Sequence, residues 1–337
     1  MQIVQPEELS PNPLSADYEL KSEEHYLGGG GYGIVYKADW NGNEVAVKKL
    51  KFSSQGTATP AQLKQFRNEV AVMQQLRQPN LVTMFGIVSR PDCCCIIMEY
   101  HPISLGTKLR KTFASAVAKV QEETKETVVN ELFSKAVAKA AEGLFPMALR
   151  LHLLHGVLKC LSAMHAKSVA HRDLKPANVL LADGWRPKLI DFGLSKVVVN
   201  KGAASGQDGT LIYMAPELFG DDPYDVYKAD IYSCGMFLYE LALLRPPFFE
   251  FRGQDKMLIS SILGGRRPKL PSGDDLDCVP EWLFDLMETC WDHDPAQRPT
   301  IAHIEARIKE ACDPKFKVPR MNPVSYTHLT LPTNREV

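Results

Sequence analysis

A glycine-dense stretch, Gly28-Gly29-Gly30-Gly31-Tyr32-Gly33-Ile34-Val35, sets Gly28, Gly30 and Gly33 in a G-x-G-x-x-G pattern with Val35 two residues on. Without a Cβ, such backbone brings amide groups close to phosphate oxygens. Dinucleotide-binding folds use a similar spacing, but there the glycines open a helix. Here residues 33–37 and 44–48 read as strands about the turn Asn41-Gly42-Asn43, so the loop joins two strands and lies over phosphates as a flap. A glycine-rich hairpin without a ligand has the same appearance in isolation. Lys48 ends the apolar run Val45-Ala46-Val47, and a lysine on a strand inside such a run is not an ordinary solvated charge. Its ammonium suits α- and β-phosphates and needs a carboxylate to hold it. Glu69 is that carboxylate, on a helix read over residues 60–77 from Leu63, Phe66, Val70, Met73 and Leu76 at helical spacing.

The most specific stretch is His171-Arg172-Asp173-Leu174-Lys175-Pro176-Ala177-Asn178, followed by Asp191-Phe192-Gly193 and Ala215-Pro216-Glu217. With these motifs in order, the chain resembles the eukaryotic protein kinase family over residues 18–311. The ending Cys290-Trp291-Asp292-His293-Asp294-Pro295-Ala296-Gln297-Arg298-Pro299-Thr300 resembles its tyrosine-kinase-like group of serine/threonine kinases. The resemblance implies a protein kinase that uses ATP with Mg2+, or Mn2+ in its place. Asp173 takes or orients the substrate hydroxyl proton, Lys175 sits beside the transferring γ-phosphoryl, and Asn178 and Asp191 ligate the metal. Lys175 and Thr210 point to serine or threonine as acceptor, with dual specificity as the alternative.

The resemblance assigns further positions. Val35, Ala46, Met98 and Leu180 border the adenine pocket, and residues from Glu99 to His101 form the hinge. Met73, Met84, His171 and Phe192 stack between the lobes, Asp230 holds the catalytic loop from below, and Glu217 pairs with Arg298. Arg172 is expected to pair with a phosphate on loop 194–213, with Ser205 the first candidate and Ser195 the second; the alternative is that this loop folds without phosphorylation.

The elements that must position these residues change character along the chain. Up to Tyr100 the segments are short and strand-like, with one helix. Beyond it, residues 147–166, 226–244, 255–263, 281–290 and 300–311 show a 3.6-residue apolar period. The expected fold is α+β and two-lobed, a small antiparallel sheet with one helix and then a larger, mainly helical lobe. The expected divisions are an extended leader (1–17), a small lobe (18–98), a hinge (99–103), a large lobe (104–311) and a tail (312–323). Residues 107–145 read as a helical insertion of one or two amphipathic helices. It either packs on its own lobe or offers a docking stripe to a partner.

Composition narrows the classes further. A net charge of −1 over 337 residues gives no whole-chain pull toward nucleic acid. No run of about 18 apolar residues spans a membrane. The eight cysteines form no C-x-x-C pair and read as reduced structural thiols in a cytoplasmic protein. Residues 324–333 match the translation of a transposase end and sequencing adapter, so residues 324–337 are expected to be an assembly artefact. Two rivals remain at this level. A nucleotide-binding pseudokinase scaffold would lack one of Lys48, Asp173, Asn178 or Asp191, and a small-molecule kinase would lack the segment before Ala215-Pro216-Glu217.

Overall fold

The computed structural model describes residues 26–29, 33–50, 59–90, 93–124, 131–192, 211–220, 222–271 and 279–312. The expected leader, residues 1–17, and the tail beyond residue 312 lie outside them. Tyr26–Gly29 (β1), Gly33–Trp40 (β2), Asn43–Leu50 (β3), Met84–Arg90 (β4) and Cys93–Glu99 (β5) form one antiparallel sheet, ordered β1-β2-β3-β5-β4. The β2–β3 hairpin turns at Asn41 and Gly42, whose φ values of 53° and 77° are both positive, as a type I′ turn demands.

Side chains alternate across a strand, and β3 uses that alternation. Val45 and Val47 join a small apolar cluster with Ala38, Val88, Cys95 and Ile97 on one face. Ala46 faces the main core with Ile96 and Met98, and Lys48 shares its side of the strand. That side is covered by Pro60–Gln75 (α1). Thr59 caps the helix in a reciprocal box with Gln62 and Pro60 occupies the first turn, a start signal written in the sequence. Phe66, Val70 and Met73 are buried beneath the helix, which brings Glu69 inward to 5% exposure.

The second lobe comprises Leu105–Thr124 (α2), Glu131–Leu144 (α3), Met147–Ala166 (α4), the hairpin Val179–Ala182 (β6) and Arg186–Leu189 (β7), then Val226–Leu243 (α5), Asp255–Leu263 (α6), Glu281–Cys290 (α7) and Ile301–Ala311 (α8). α5 is buried all round from Ala229 to Ala242, the mark of a central core helix. Thiols of Cys160 and Cys234 are pushed up to about 12 by burial, so they remain inert packing groups. Among the described residues no single helix is long and apolar enough to cross a membrane.

The segment 107–145 forms two helices, α2 and α3, that pack on each other and bury Ala116, Val120, Val137 and Ala141. Its apolar stripe is therefore spent largely within its own lobe. Phe145 is fully buried, and Lys108 lies 5.4 Å from the Phe145 ring and 5.5 Å from the Trp185 ring, a cation–π contact on both sides. Arg150, 2% exposed, donates to the carbonyls of Phe145 (2.8 Å) and Ala242 (2.6 Å) and pairs with Glu142. A cation at the last carbonyls of α5 is favourable on dipole grounds.

The lobes meet at Glu99. Its Oε1 accepts from the Thr83 amide at 2.7 Å and from Lys188 Nζ at 2.7 Å, and His101 Nε2 lies 3.2 Å from its Oε2. The strap between α1 and β4 is bonded to β7 through Val82 N to Leu189 O (3.0 Å), Leu189 N to Asn80 O (2.8 Å) and Asn80 Nδ2 to Pro187 O (3.1 Å). Burial opposes the charge on Glu99, but His101, Lys188 and the Thr83 amide outweigh it and bring the carboxyl down to about 2. A depressed carboxylate stabilises the fold fully above its unfolded range and loses that contribution as pH falls through its folded value. Lys188→Met is expected to lower stability near neutral pH by about 2 kcal/mol. In urea unfolding the gap from wild type should narrow as the pH falls toward about 2; a pH-independent gap counts against the pair.

Candidate active site

Three charged groups from three elements converge at Lys48. Its Nζ donates to Glu69 Oε1 and Oε2 at 2.7 and 2.8 Å and to Asp191 Oδ1 at 2.9 Å. Burial works against an ammonium here, yet the two carboxylates outweigh it and raise the lysine above its ordinary value. Glu69 is raised, chiefly by burial, while Lys48 holds Asp191 down against its own burial. One lysine against two acids leaves a net negative locus. Such a locus favours a cation and a ligand that brings cations with it. Asp191 has a φ of 68°, a left-handed conformation that costs a non-glycine residue about 1–2 kcal/mol and is held by this ion pair.

The catalytic loop is shaped from beneath. Asp230, on α5 and wholly buried, accepts from the His171 amide (2.8 Å) and the Arg172 amide (2.6 Å). These bonds fix Arg172 in a left-handed turn, φ 69°, which presents Asp173. The Asp173 amide donates to His171 Nδ1 at 3.2 Å, so the ring proton lies on Nε2, which faces the Ile190 carbonyl at 3.2 Å. One imidazole thus ties the residue before Asp191 to the loop that carries Asp173. Lys175 Nζ is 2.8 Å from Asp173 Oδ2. Asn178 Nδ2 donates to both the Asp173 carbonyl and Oδ2 at 2.8 Å, which leaves its own carbonyl oxygen as an acceptor.

Asn178 and Asp191 together offer an amide oxygen and a carboxylate. No cluster of three metal-ligating His, Cys, Asp or Glu residues occurs among the described residues. That donor set fits a hard cation such as Mg2+, which binds through one or two protein oxygens plus substrate phosphates rather than in an all-protein cage.

The residues assigned to the nucleotide side lie on the small-lobe sheet, the hinge and β6. Gly28 ends in β1 and Gly33 opens β2, where an added Cβ would stand 2.8 Å from the Lys49 carbonyl, so only glycine fits. Val35 pairs with Lys48, and Ala46 pairs with Met98. Glu99 closes β5 with His101 just beyond, and Leu180 in β6 is bridged to Ser104. His171 and Phe192 meet edge to face at 5.5 Å, and Met73 is buried in the same core. Gly30, Gly193, Ser195, Ser205 and Thr210 lie outside the described residues. Arg172, assigned to a loop phosphate, donates to the Tyr224 hydroxyl at 2.6 Å.

On the acceptor side, Glu217 and Arg298 form a two-pronged pair at 2.6 and 2.9 Å, with Arg298 wholly enclosed. Tyr213 hydrogen-bonds Glu240, and Ser233 Oγ donates to the Tyr213 carbonyl at 2.8 Å. A recess beside the Asp173 carboxylate is also lined by Tyr213, Met214, Leu218 and Ala229. Sequence reasoning missed Glu240 and also His165, whose Nε2 is 2.9 Å from Asp230. A charged residue inside the apolar run from Met236 to Leu243 was the available signal for Glu240. For His165 there was none.

Comparison with known proteins agrees with this geometry. The protein kinase domain family matches residues 21–308. The dual specificity protein kinase shkB of Dictyostelium discoideum is 32% identical over 90% of this chain and 41% of its own length. The serine/threonine-protein kinase STY46 of Arabidopsis thaliana is 29% identical over 85% of this chain and 43% of its length. The chain thus spans less than half the length of these relatives. The matched residues include the glycine run, Lys48, Asp173, Asn178 and Asp191 in that order, and the match covers well over half of the sequence; the chain belongs to the protein kinase domain family.

Proposed function

We propose that this chain transfers the γ-phosphoryl group of ATP, with Mg2+ or Mn2+, to serine and threonine hydroxyls of protein substrates. The observation that carries the choice of hydroxyl is Lys175, 2.8 Å from Asp173. A short aliphatic hydroxyl must come right up to Asp173, and Lys175 then lies within reach of the same phosphoryl group. A bound Mg2+ supplies charge neutralisation between phosphates.

The chain's own residues do the rest. Lys48, fixed by Glu69, is positioned to neutralise phosphate oxygens. Asp173, oriented by Asn178 and Lys175, accepts the acceptor's proton as the bond to phosphorus forms. Lys175 offsets negative charge on the moving group. Dual specificity is the second reading, favoured by the names of relatives such as shkB. We also assign the reaction to the cytoplasm, on the support of buried thiols such as Cys160 and Cys234, which a reducing compartment preserves.

Asp173→Asn should lower kcat by about 10²–10⁴-fold with nucleotide affinity retained, measured by radiolabelled ATP on a generic protein substrate. Transfer indifferent to that change would defeat the mechanism. Lys48→Met is expected to lower kcat/KM by about 10²–10³-fold. Chelation of divalent cations should abolish turnover, with Mg2+ or Mn2+ restoring it. Phosphoamino-acid analysis of the product should give phosphoserine and phosphothreonine; phosphotyrosine alongside them would favour dual specificity.

A further inference from the structure

The turn that presents Asp173 is held at its backbone by α5, since the Arg172 amide bonds Asp230 at 2.6 Å. The same residue is held a second time, at the far end of its side chain. Arg172 Nη2 donates to the Tyr224 hydroxyl at 2.6 Å, a short bond from a charged donor. Tyr224 stands directly before Asp225, the cap of α5, whose Oδ1 accepts from the Tyr227 amide at 2.8 Å and the Lys228 amide at 3.3 Å. One helix and the residue before its cap therefore grip Arg172 at both ends. The φ of 69° at Arg172 is unfavourable for a residue with a Cβ, and each attachment opposes its relaxation.

The grip is firm because the start of α5 is itself tied down. Tyr227 meets His165 edge to face at 5.0 Å, and His165 Nε2 lies 2.9 Å from Asp230. Arg298 Nη1 donates to the Lys228 carbonyl at 2.9 Å, and Lys228 Nζ returns a bond to the Arg298 carbonyl. The Tyr224 ring packs against the main core, while Asp222, Pro223 and Asp225 around it are exposed. Packing has already ordered the ring, so its hydroxyl is an acceptor fixed in place without further loss of side-chain freedom.

We propose that Tyr224 is a positioning residue for phosphoryl transfer. Its hydroxyl holds the Arg172 side chain, and through it the left-handed turn that sets Asp173, whether or not loop 194–213 carries a phosphate. The guanidinium expected to meet a phosphate thus has an acceptor supplied by the base of the large lobe. Tyr224 touches neither nucleotide nor acceptor in this scheme and acts through Arg172 alone. The inference rests on the kinase function above, and the two are separated by the order in which activity is lost.

The test compares wild type with Tyr224→Phe, which keeps the packed ring and removes only the acceptor. Both are treated with phosphatase until intact mass shows no phosphate, then assayed by initial rates on a serine peptide. Wild type should remain active. Y224F should lose about tenfold in kcat, the worth of one hydrogen bond to a charged group, with peptide KM and calorimetric ATP affinity unchanged. Equal kcat for the two phosphate-free enzymes would overturn the proposal. So would a fall in ATP affinity as large as the fall in kcat, the mark of a merely structural residue. Wild-type activity lost only on phosphatase treatment would overturn it as well, with the kinase function left intact. A wild type inactive even before that treatment would sink the kinase function, and this proposal with it.

Discussion

A carboxylate with no solvent exposure is the support on which the active site hangs. Asp230 sits on the most deeply buried helix of the molecule, where an unpaired charge would be prohibitive. Two backbone amides and His165 Nε2 converge on it. The exchange works in both directions: the carboxylate is satisfied, and the chain at His171 and Arg172 is held in a turn it would not otherwise adopt. From that turn follow the placement of Asp173 and, through its side chain and carbonyl, of Asn178. The His171 ring extends the same fixed frame to Ile190 and so to Asp191.

The small lobe contributes one ammonium to this frame, and the contribution depends on alternation within a single strand. Val45 and Val47 anchor β3 to one apolar cluster, so Ala46 faces the other and Lys48 lies on Ala46's side. α1 then answers with Glu69 from the side of its own buried stripe. The Glu99–Lys188 pair and the strap from Asn80 to Thr83 keep the lobes in register behind the site. Sheet, helix and hinge each supply one constraint, and the charged cluster at Lys48 requires all of them.

Much of this was legible because short-range patterns mark it. The Asn41-Gly42 turn and the apolar periods of α1 and of α4 to α8 announced their elements. Strands β2 and β3 run longer than alternation suggests, to Trp40 and Leu50, because cross-strand pairing recruits polar flanking residues. α1 stops at Gln75 rather than Arg77, with Leu76 already extended ahead of Pro79. Motif spacing singled out Lys48, Asp173, Asn178 and Asp191, and the fold brings Lys48 to Asp191 and Asn178 to Asp173. It was silent on distant partners that lie outside the motifs. Arg150 reaches Ala242, His165 reaches Asp230, and the Glu99 side chain reaches Lys188, although the sequence suggested only a backbone role at that hinge position. No local period encodes such pairs.

The Lys48–Asp191 contact spans 143 positions, and this separation governs when the charged cluster comes into being. Closing a loop of that length costs about 4 kcal/mol of chain entropy, more than a single ion pair returns. The contact therefore cannot initiate folding; it is made after the sheet and the helical lobe have each condensed. A ribosome-bound chain that has exposed only its first lobe has the lysine but not its second acid. The cluster at Lys48 is complete only once both lobes are in place, so its assembly reports on the joining of the two halves.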